Sequence, residues 1–85
     1  MSEHATPQRG RLRERTAEEI RVHLARRRMS AAELSRRTGL KQPYVSRRMT
    51  GEIAFDLDDL EVIARELGVK VADLIAGEDE QTTTA

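Results

Sequence analysis

The sequence predicts an all-α fold, a compact bundle of about five short helices. A chain of 85 residues allows a single small domain. Apolar residues recur three and four positions apart, as Leu60, Ile63 and Leu67 do, and this spacing is typical of one face of a helix. Residues that favour helix ends separate such segments, as Ser30 and Gly39 do around one of them.

The first helix is predicted to begin at Thr16, which can act as an N-cap with Glu19 closing a capping box. Ile20 and Leu24 are four positions apart and therefore share its apolar face. Leu12 is also apolar, so an earlier start of this helix stays open.

The second and third helices are predicted to lie close together in the chain. Ser30 is expected to cap the second helix, Ala31–Thr38. Gly39 follows at a position where the end of a helix requires a positive φ, which glycine adopts without a Cβ clash. Proline is tolerated in the first turn of a helix, so Pro43 indicates that the third helix begins at Gln42.

This third helix has two different faces. Val45 and Met49 are four positions apart and are predicted to face the core. The opposite face is polar and cationic and carries Gln42, Tyr44, Ser46, Arg47 and Arg48. A short helix, a glycine turn and a second helix with an exposed polar face are typical of a helix-turn-helix, whose second helix enters the major groove of DNA.

Two further helices are predicted in the acidic half of the chain. Asp56 is expected to cap a fourth helix, Leu57–Leu67, which Gly68 ends. A short fifth helix is predicted at Ala72–Ala76. The acids of the DLDD segment are interpreted as caps, because the segment lacks the glycine, the spacing and the distal glutamate of a calcium loop.

The two ends of the chain lack apolar periodicity. Residues 1–14 are predicted to form a disordered basic N-terminal arm, and residues 78–85 a disordered acidic, threonine-rich tail. The helix-turn-helix domain is therefore predicted to span residues 15–77. The arginines of the arm either contact DNA or belong to a solubilising tail, and both interpretations stay open.

The chain resembles the Cro and lambda-repressor family of helix-turn-helix proteins over roughly residues 20–75. The resemblance rests on S-x-x-x-L-S-x-x-x-G-L-x-Q-x-x-V-S, which begins at Ser30, and on L-x-x-I-A-x-x-L-G-V, which begins at Leu60. It implies a lambda-repressor-like helical bundle, double-stranded operator DNA as the partner, and a role in the regulation of transcription.

The charges are sorted along the chain although the net charge is zero. Residues 1–50 hold 13 Lys and Arg against 5 Asp and Glu, a balance of +8. Residues 51–85 hold 2 against 10, a balance of −8. This polarity indicates one surface for a polyanion and another that avoids it, whereas a merely solvated surface does not require such sorting.

The resemblance and the major-groove code suggest which side chains contact DNA. The predicted base-contacting residues are Gln42, Tyr44, Ser46 and Arg47. A glutamine at the position of Gln42 contacts a base in the family, and an arginine at Arg47 has the geometry to read guanine. The predicted phosphate-contacting residues are Arg28, Arg36, Arg37, Lys41, Arg48 and Thr50.

Three positions depart from the family pattern. Pro43 stands where relatives often have a polar base reader, and Ala31 where many have a glutamine that grips a phosphate. Arg48 stands where the family usually buries an aliphatic residue. The sequence therefore leaves open whether Arg47 or Arg48 faces the groove, because a small rotation of the third helix exchanges the two.

The composition argues against an enzyme. The chain has no cysteine and two histidines, so a thiolate metal site is excluded, and no serine stands at a recognisable spacing from a histidine. We therefore predict no catalytic residue, no cofactor, no metal and no small-molecule substrate. No apolar run approaches the roughly 20 residues that span a membrane, so a cytoplasmic location on the nucleoid is expected.

The leading hypothesis is a sequence-specific transcriptional regulator that binds double-stranded DNA, a small phage or prophage Cro-like repressor or an autoregulator. The alternative is a protein-interaction module, antitoxin-like or polymerase-binding, in which DNA binding is secondary. Val71, Leu74 and Ile75 form a candidate apolar patch for a homodimer on DNA, although a monomer would have the same sequence pattern.

Overall fold

The structure is a computed structural model that describes residues 11–76. Over these residues the chain forms five helices: α1 Arg11–Arg26, α2 Ala31–Thr38, α3 Gln42–Met49, α4 Leu57–Leu67 and α5 Val71–Ala76. The predicted all-α fold is confirmed. None of these five helices has the length and apolar character needed to cross a membrane. The predicted C-terminal tail and the first ten residues of the predicted arm lie outside the described residues.

The first helix begins earlier than its sequence signals indicate. α1 starts at Arg11, so residues 11–14 form its first turn and the prediction of disorder is wrong for them. Thr16 is not an N-cap, because it lies inside α1 and is buried. The reason is long-range: α1 packs along α5, and the Arg13 guanidinium donates a hydrogen bond to the Glu52 carbonyl at 3.0 Å.

The remaining helix boundaries follow local capping signals. The Ser30 hydroxyl accepts a hydrogen bond from the Glu33 N–H at 3.0 Å, as expected of an N-cap. Gly39 has φ +84°, and its N–H bonds the Ser35 carbonyl at 2.8 Å, which ends α2. α4 begins directly after its cap, Asp56, as predicted.

Each helix contributes one completely buried side chain to a shared aliphatic core: Ile20, Leu34, Val45, Ile63 and Leu74. α2 packs against α3 and α4, α1 against α3 and α5, and α4 against α5. Met49, as the sequence predicts, and Phe55 pack against this core from its margin. The prediction that Leu74 belongs to an exposed dimer patch is wrong, because α5 turns this side chain inward against α1 and α4.

An open apolar groove of about 480 Å³ lies between the start of α1, the linker before α4, and α5. Leu12, Phe55, Leu57 and Ile75 are among the residues that line it, and we call it the α1–α5 groove. Leu12 is 49% exposed and Leu57 is 72% exposed. The exposed apolar surface of the bundle is therefore centred on this groove, which includes Ile75 of the patch that the sequence suggests but neither Val71 nor Leu74.

Two arginines, Arg21 in α1 and Arg27 directly after its end, bind the ends of other helices. Arg21 donates a hydrogen bond to the carbonyl of Met49, the last residue of α3. Arg27 donates to the carbonyl of Leu67, the last residue of α4, at 2.7 Å. The last carbonyls of a helix have no hydrogen-bond partner within it and carry partial negative charge. A guanidinium provides both a donor and a positive charge for them. Part of the positive charge of α1 is thus used inside the bundle.

Candidate nucleic-acid interface

The turn between α2 and α3 is held by hydrogen bonds from one side chain. The Thr38 hydroxyl donates to the Leu34 carbonyl at 2.8 Å and accepts the Leu40 N–H at 3.2 Å. Leu40 then packs against the core. Because both the end of α2 and the start of the turn are bonded, these contacts help to fix the direction in which α3 leaves.

α3 presents one exposed face to solvent. Pro43, Ser46, Arg47 and Thr50 are exposed, and their spacing of three, four and seven positions puts them on the same side of a helix. Val45 is completely buried on the opposite side. Of the residues predicted for the outer face, Gln42, Ser46 and Arg47 are exposed, whereas Tyr44 and Arg48 are half-buried.

Within residues 11–76, four exposed polar side chains in or beside α3 make no hydrogen bond or ion pair: Lys41, Gln42, Ser46 and Arg47. A carboxamide, a hydroxyl and a guanidinium are the groups that read base edges in the major groove, and an ammonium group suits a phosphate. Thr50 differs from them, since its hydroxyl donates to the Arg47 carbonyl at 2.9 Å and accepts the Glu52 N–H at 3.2 Å.

Tyr44 is engaged inside the protein. Its hydroxyl donates a 2.6 Å hydrogen bond to the carboxylate of Asp59, in the first turn of α4. This hydrogen bond raises the pKa of Tyr44 above the usual value for tyrosine. Partial burial and the negative charge of Asp59 also raise the pKa, while the Arg48 cation lowers it.

Asp59 is itself tightly held. It is 6% exposed and forms both halves of a capping box with Asp56: the Asp56 carboxylate accepts the Asp59 N–H at 2.8 Å, and the Asp59 carboxylate accepts the Asp56 N–H at 3.2 Å. The sequence identifies Asp59 only as a first-turn acid. Its bond to Tyr44 has no local signal, because the two residues are 15 positions apart.

The Arg48 guanidinium lies over the Tyr44 ring, with its carbon 3.5 Å from the ring centroid. The same guanidinium donates to the Tyr44 carbonyl at 3.1 Å. A cation over an aromatic face at this distance is a favourable contact. Arg48 is consequently half-buried, while Arg47, the next residue toward the N-terminus, is exposed.

Arg36 and Arg37 are both paired with one carboxylate of their own helix. Glu33 bonds Arg36 at 3.1 Å and Arg37 at 2.9 Å, and Arg37 also lies 3.8 Å from Glu66 on α4. These arginines are about half or more exposed, so solvent screens the pairs and leaves each of them weak. A phosphate that approaches either arginine competes with Glu33.

Arg28 lies apart from α3, in the loop between α1 and α2. It is exposed and has φ +53°, a left-handed conformation that is uncommon outside glycine. The ten predicted contact residues are thus divided between the exposed face of α3 and its ends, the Tyr44–Arg48 stack, α2 and this loop. Among residues 11–76 no cluster of His, Asp and Glu has the arrangement of a metal site.

Comparisons with known proteins agree with this geometry. The family model for the Cro/C1-type HTH DNA-binding domain matches residues 19–80. The chain is also similar to the crystal structure of the hypothetical transcription factor NHTF from Neisseria. That alignment has 28% sequence identity and a TM-score of 0.78 and covers 93% of this chain and 91% of the other. No curated protein matches the sequence.

Proposed function

This chain belongs to the Cro/C1-type helix-turn-helix family of DNA-binding domains, and from that premise we propose that it is a sequence-specific transcriptional regulator with α3 in the major groove. The observation that carries the proposal is the exposed face of α3. Gln42, Ser46 and Arg47 offer unused donors and acceptors there, within the described residues. In a folded domain such groups are available to a ligand without breaking any internal contact.

The division of roles follows from which side chains are free. Gln42 pairs with adenine N6 and N7, and Arg47 with guanine O6 and N7. Ser46 lies on the same exposed side and contacts either kind of base. Tyr44, for which a base contact is also predicted, keeps its hydroxyl on Asp59, so any contact with DNA is made by its ring edge, against a thymine methyl.

The phosphate contacts come from the margins of this face. Lys41 precedes α3 and its ammonium group is free within the described residues. Arg36 and Arg37 exchange their Glu33 carboxylate for phosphates, and Arg48 and Thr50 lie at the far end of α3. Arg28 is proposed as a more distant contact from its own loop. These contacts position the domain and carry no sequence information.

We propose that binding represses transcription. A domain that occupies a promoter excludes polymerase without any further chemistry. The family resemblance fits a small Cro-like repressor of phage or prophage type, or an autoregulator of its own gene. The sign of regulation is tested by placing a selected site within a reporter promoter, where repression predicts lower expression in the presence of the protein.

Two copies of the chain are proposed to bind together. α3 has eight residues, about 12 Å of helix, and so spans only about three to four base pairs. So few base pairs specify a site poorly, whereas two copies on a palindrome double the number of base pairs that are read. The exposed leucines of the α1–α5 groove, Leu12 and Leu57, are the surface we assign to this contact. Sedimentation of the protein alone and on its selected site measures the number of copies.

Selection of bound sequences from a random duplex pool tests the function directly. The expected result is a short enriched motif that contains guanine and adenine at separate positions, repeated with two-fold symmetry. Single-base changes in the motif should then each weaken binding by about 1–3 kcal/mol. A pool that shows no enrichment over repeated rounds would contradict sequence-specific binding.

The α1–α5 groove also supports a second candidate function, an interaction module that binds a protein partner. In this function the partner binds the acidic half of the chain, with α4 and α5, and DNA binding is secondary. Salt separates the two candidates. Binding through phosphates weakens steeply as salt rises, with a slope of about −0.9 for each neutralised phosphate, while binding through an apolar groove changes little.

A further inference from the structure

α3 depends on its neighbours for its orientation. A helix of eight residues is too short to be stable alone in water. Val45 is the only completely buried side chain that it contributes among the described residues, with Met49 packed beside it at the core margin. Two apolar contacts four positions apart define a line along the helix, and such a line resists rotation about the helix axis only weakly.

The first contact that resists rotation comes from α4. Asp59 holds the Tyr44 hydroxyl at 2.6 Å, and the Tyr44 ring in turn carries the Arg48 guanidinium. Asp59 is a firm anchor, because the capping box with Asp56 fixes its own position and it is almost completely buried. This contact acts near the start of α3, on the flank between the buried face and the exposed face.

The second contact comes from α1 and acts at the other end. Arg21 donates to the carbonyl of Met49, the last residue of α3. Arg21 also lies 3.5 Å from Glu18, one turn earlier on α1, which helps to direct its side chain. The two ends of α3 are thus attached to two different helices of the bundle by polar contacts.

We propose that Asp59 and Arg21 are positioning residues that set the rotation of α3, and thereby its base preference, without contacting DNA bases themselves. This inference rests on the proposed function. Its physical basis is that a bidentate base contact requires matched geometry, so a small rotation of α3 moves Arg47 and Gln42 out of register with the base edges. Phosphate contacts tolerate such a rotation far better, because they are made at several places around the helix.

The experiment compares specific with random-sequence binding for Tyr44→Phe and Arg21→Met. Tyr44→Phe removes one oxygen and keeps the ring under Arg48. Each variant is expected to keep most of its affinity for random DNA. The preference for the correct base at the positions read by α3 should fall by about three- to tenfold, which is a part of the preference that a whole bidentate contact supplies. Arg21→Lys, which keeps a cation and donors, is expected to restore part of the preference.

Arg27→Met is the matched control for Arg21→Met. Arg27 directly follows α1, and the substitution removes one positive charge there together with one hydrogen bond to the last residue of α4 instead of α3. It should lower stability and leave base preference unchanged. If Arg27→Met alters preference as much as Arg21→Met does, or if neither Tyr44→Phe nor Arg21→Met alters it, the inference is wrong.

A double-mutant cycle separates positioning from a direct contact of the Tyr44 hydroxyl with DNA. In an Asp59→Ala background, which removes the acceptor of the Tyr44 hydroxyl, Tyr44→Phe should change the base preference little further, because both substitutions remove the same contact. If the hydroxyl contacted DNA directly, Tyr44→Phe would lower the base preference by the same factor in both backgrounds. This result would overturn the role of Asp59. Failure of the proposed function is distinguishable, since the unsubstituted protein itself would then show no base preference.

Discussion

Arg47 and Arg48 are neighbours in the chain and occupy opposite environments on α3. The Arg47 guanidinium is exposed and makes no hydrogen bond or ion pair within residues 11–76. Arg48 is half-buried, stacked 3.5 Å over the Tyr44 ring and bonded to the Tyr44 carbonyl. An aliphatic residue is usual in the family at the position of Arg48, and here the aromatic ring covers the side chain that replaces it.

We therefore expect Arg47→Ala and Arg48→Ala to differ in kind. Arg47→Ala should weaken binding to the selected site by about 1–3 kcal/mol and relax the preference at one base pair. Arg48→Ala should lower thermal stability and weaken binding to all sequences together. Competition binding against sites with single-base changes measures both effects. If Arg48→Ala instead relaxes the preference at one base pair while Arg47→Ala acts uniformly, α3 is rotated relative to this structure.

The shared carboxylate of Glu33 provides a test of the phosphate contacts. Arg37→Ala should weaken binding to specific and random DNA alike and reduce the salt slope by about one unit. Glu33→Gln should have the opposite effect, because it releases Arg36 and Arg37 and removes a repulsive charge. Titrations at several salt concentrations measure the slopes.

Glu61→Gln is the control for Glu33→Gln, because it removes a carboxylate that is paired with Arg65 on α4. Its effect on DNA affinity should be smaller. Equal gains from both substitutions would mean that only the net charge matters, and that Arg36 and Arg37 do not approach phosphates.

Three leucines provide a matched series for the core. Leu34→Ala and Leu60→Ala each remove a buried side chain and should lower the free energy of unfolding by about 2–5 kcal/mol. In a domain with about 5–15 kcal/mol of total stability, either change comes close to unfolding the protein. At protein concentrations where the chain is monomeric, Leu57→Ala should have almost no effect, since Leu57 is 72% exposed. Urea denaturation measures the free energy of unfolding of the three variants. A decrease for Leu57→Ala as large as for the other two would contradict the assignment of the core.

Tyr44 can be titrated directly, because it is the single tyrosine of a chain without tryptophan. The hydrogen bond to Asp59 raises its pKa in the folded state, so its ultraviolet absorbance should change at a higher pH than in the unfolded chain. The stabilising contribution of the Tyr44 proton is present below the unfolded pKa of about 10 and is lost as pH rises through the folded value. Asp59→Asn should lower the folded pKa. The same titration in folded and unfolded protein would argue against the contact.

Sequence signals were sufficient to place the helices whose ends depend on neighbouring residues. Ser30, Gly39, Asp56 and Gly68 act on residues within one helical turn of themselves, and α2 and α4 begin and end where these signals place them. Pro43 likewise gave the start of α3. The family pattern spans the same segments, so the helix-turn-helix and its buried face were also predictable. Such features depend on backbone conformation and on neighbours three or four positions away.

The identity of the charged groups that remain free depends on packing between distant segments. Arg21, Arg27 and Tyr44 bind partners 28, 40 and 15 positions away, and no periodicity in the sequence carries that information. The early start of α1 and the burial of Leu74 depend in the same way on how α1 packs along α5. A charged residue looks alike in the sequence whether it faces solvent, a helix end or an aromatic ring. Its role is set by packing between distant segments, because only packing brings the carbonyl, the carboxylate or the ring within reach.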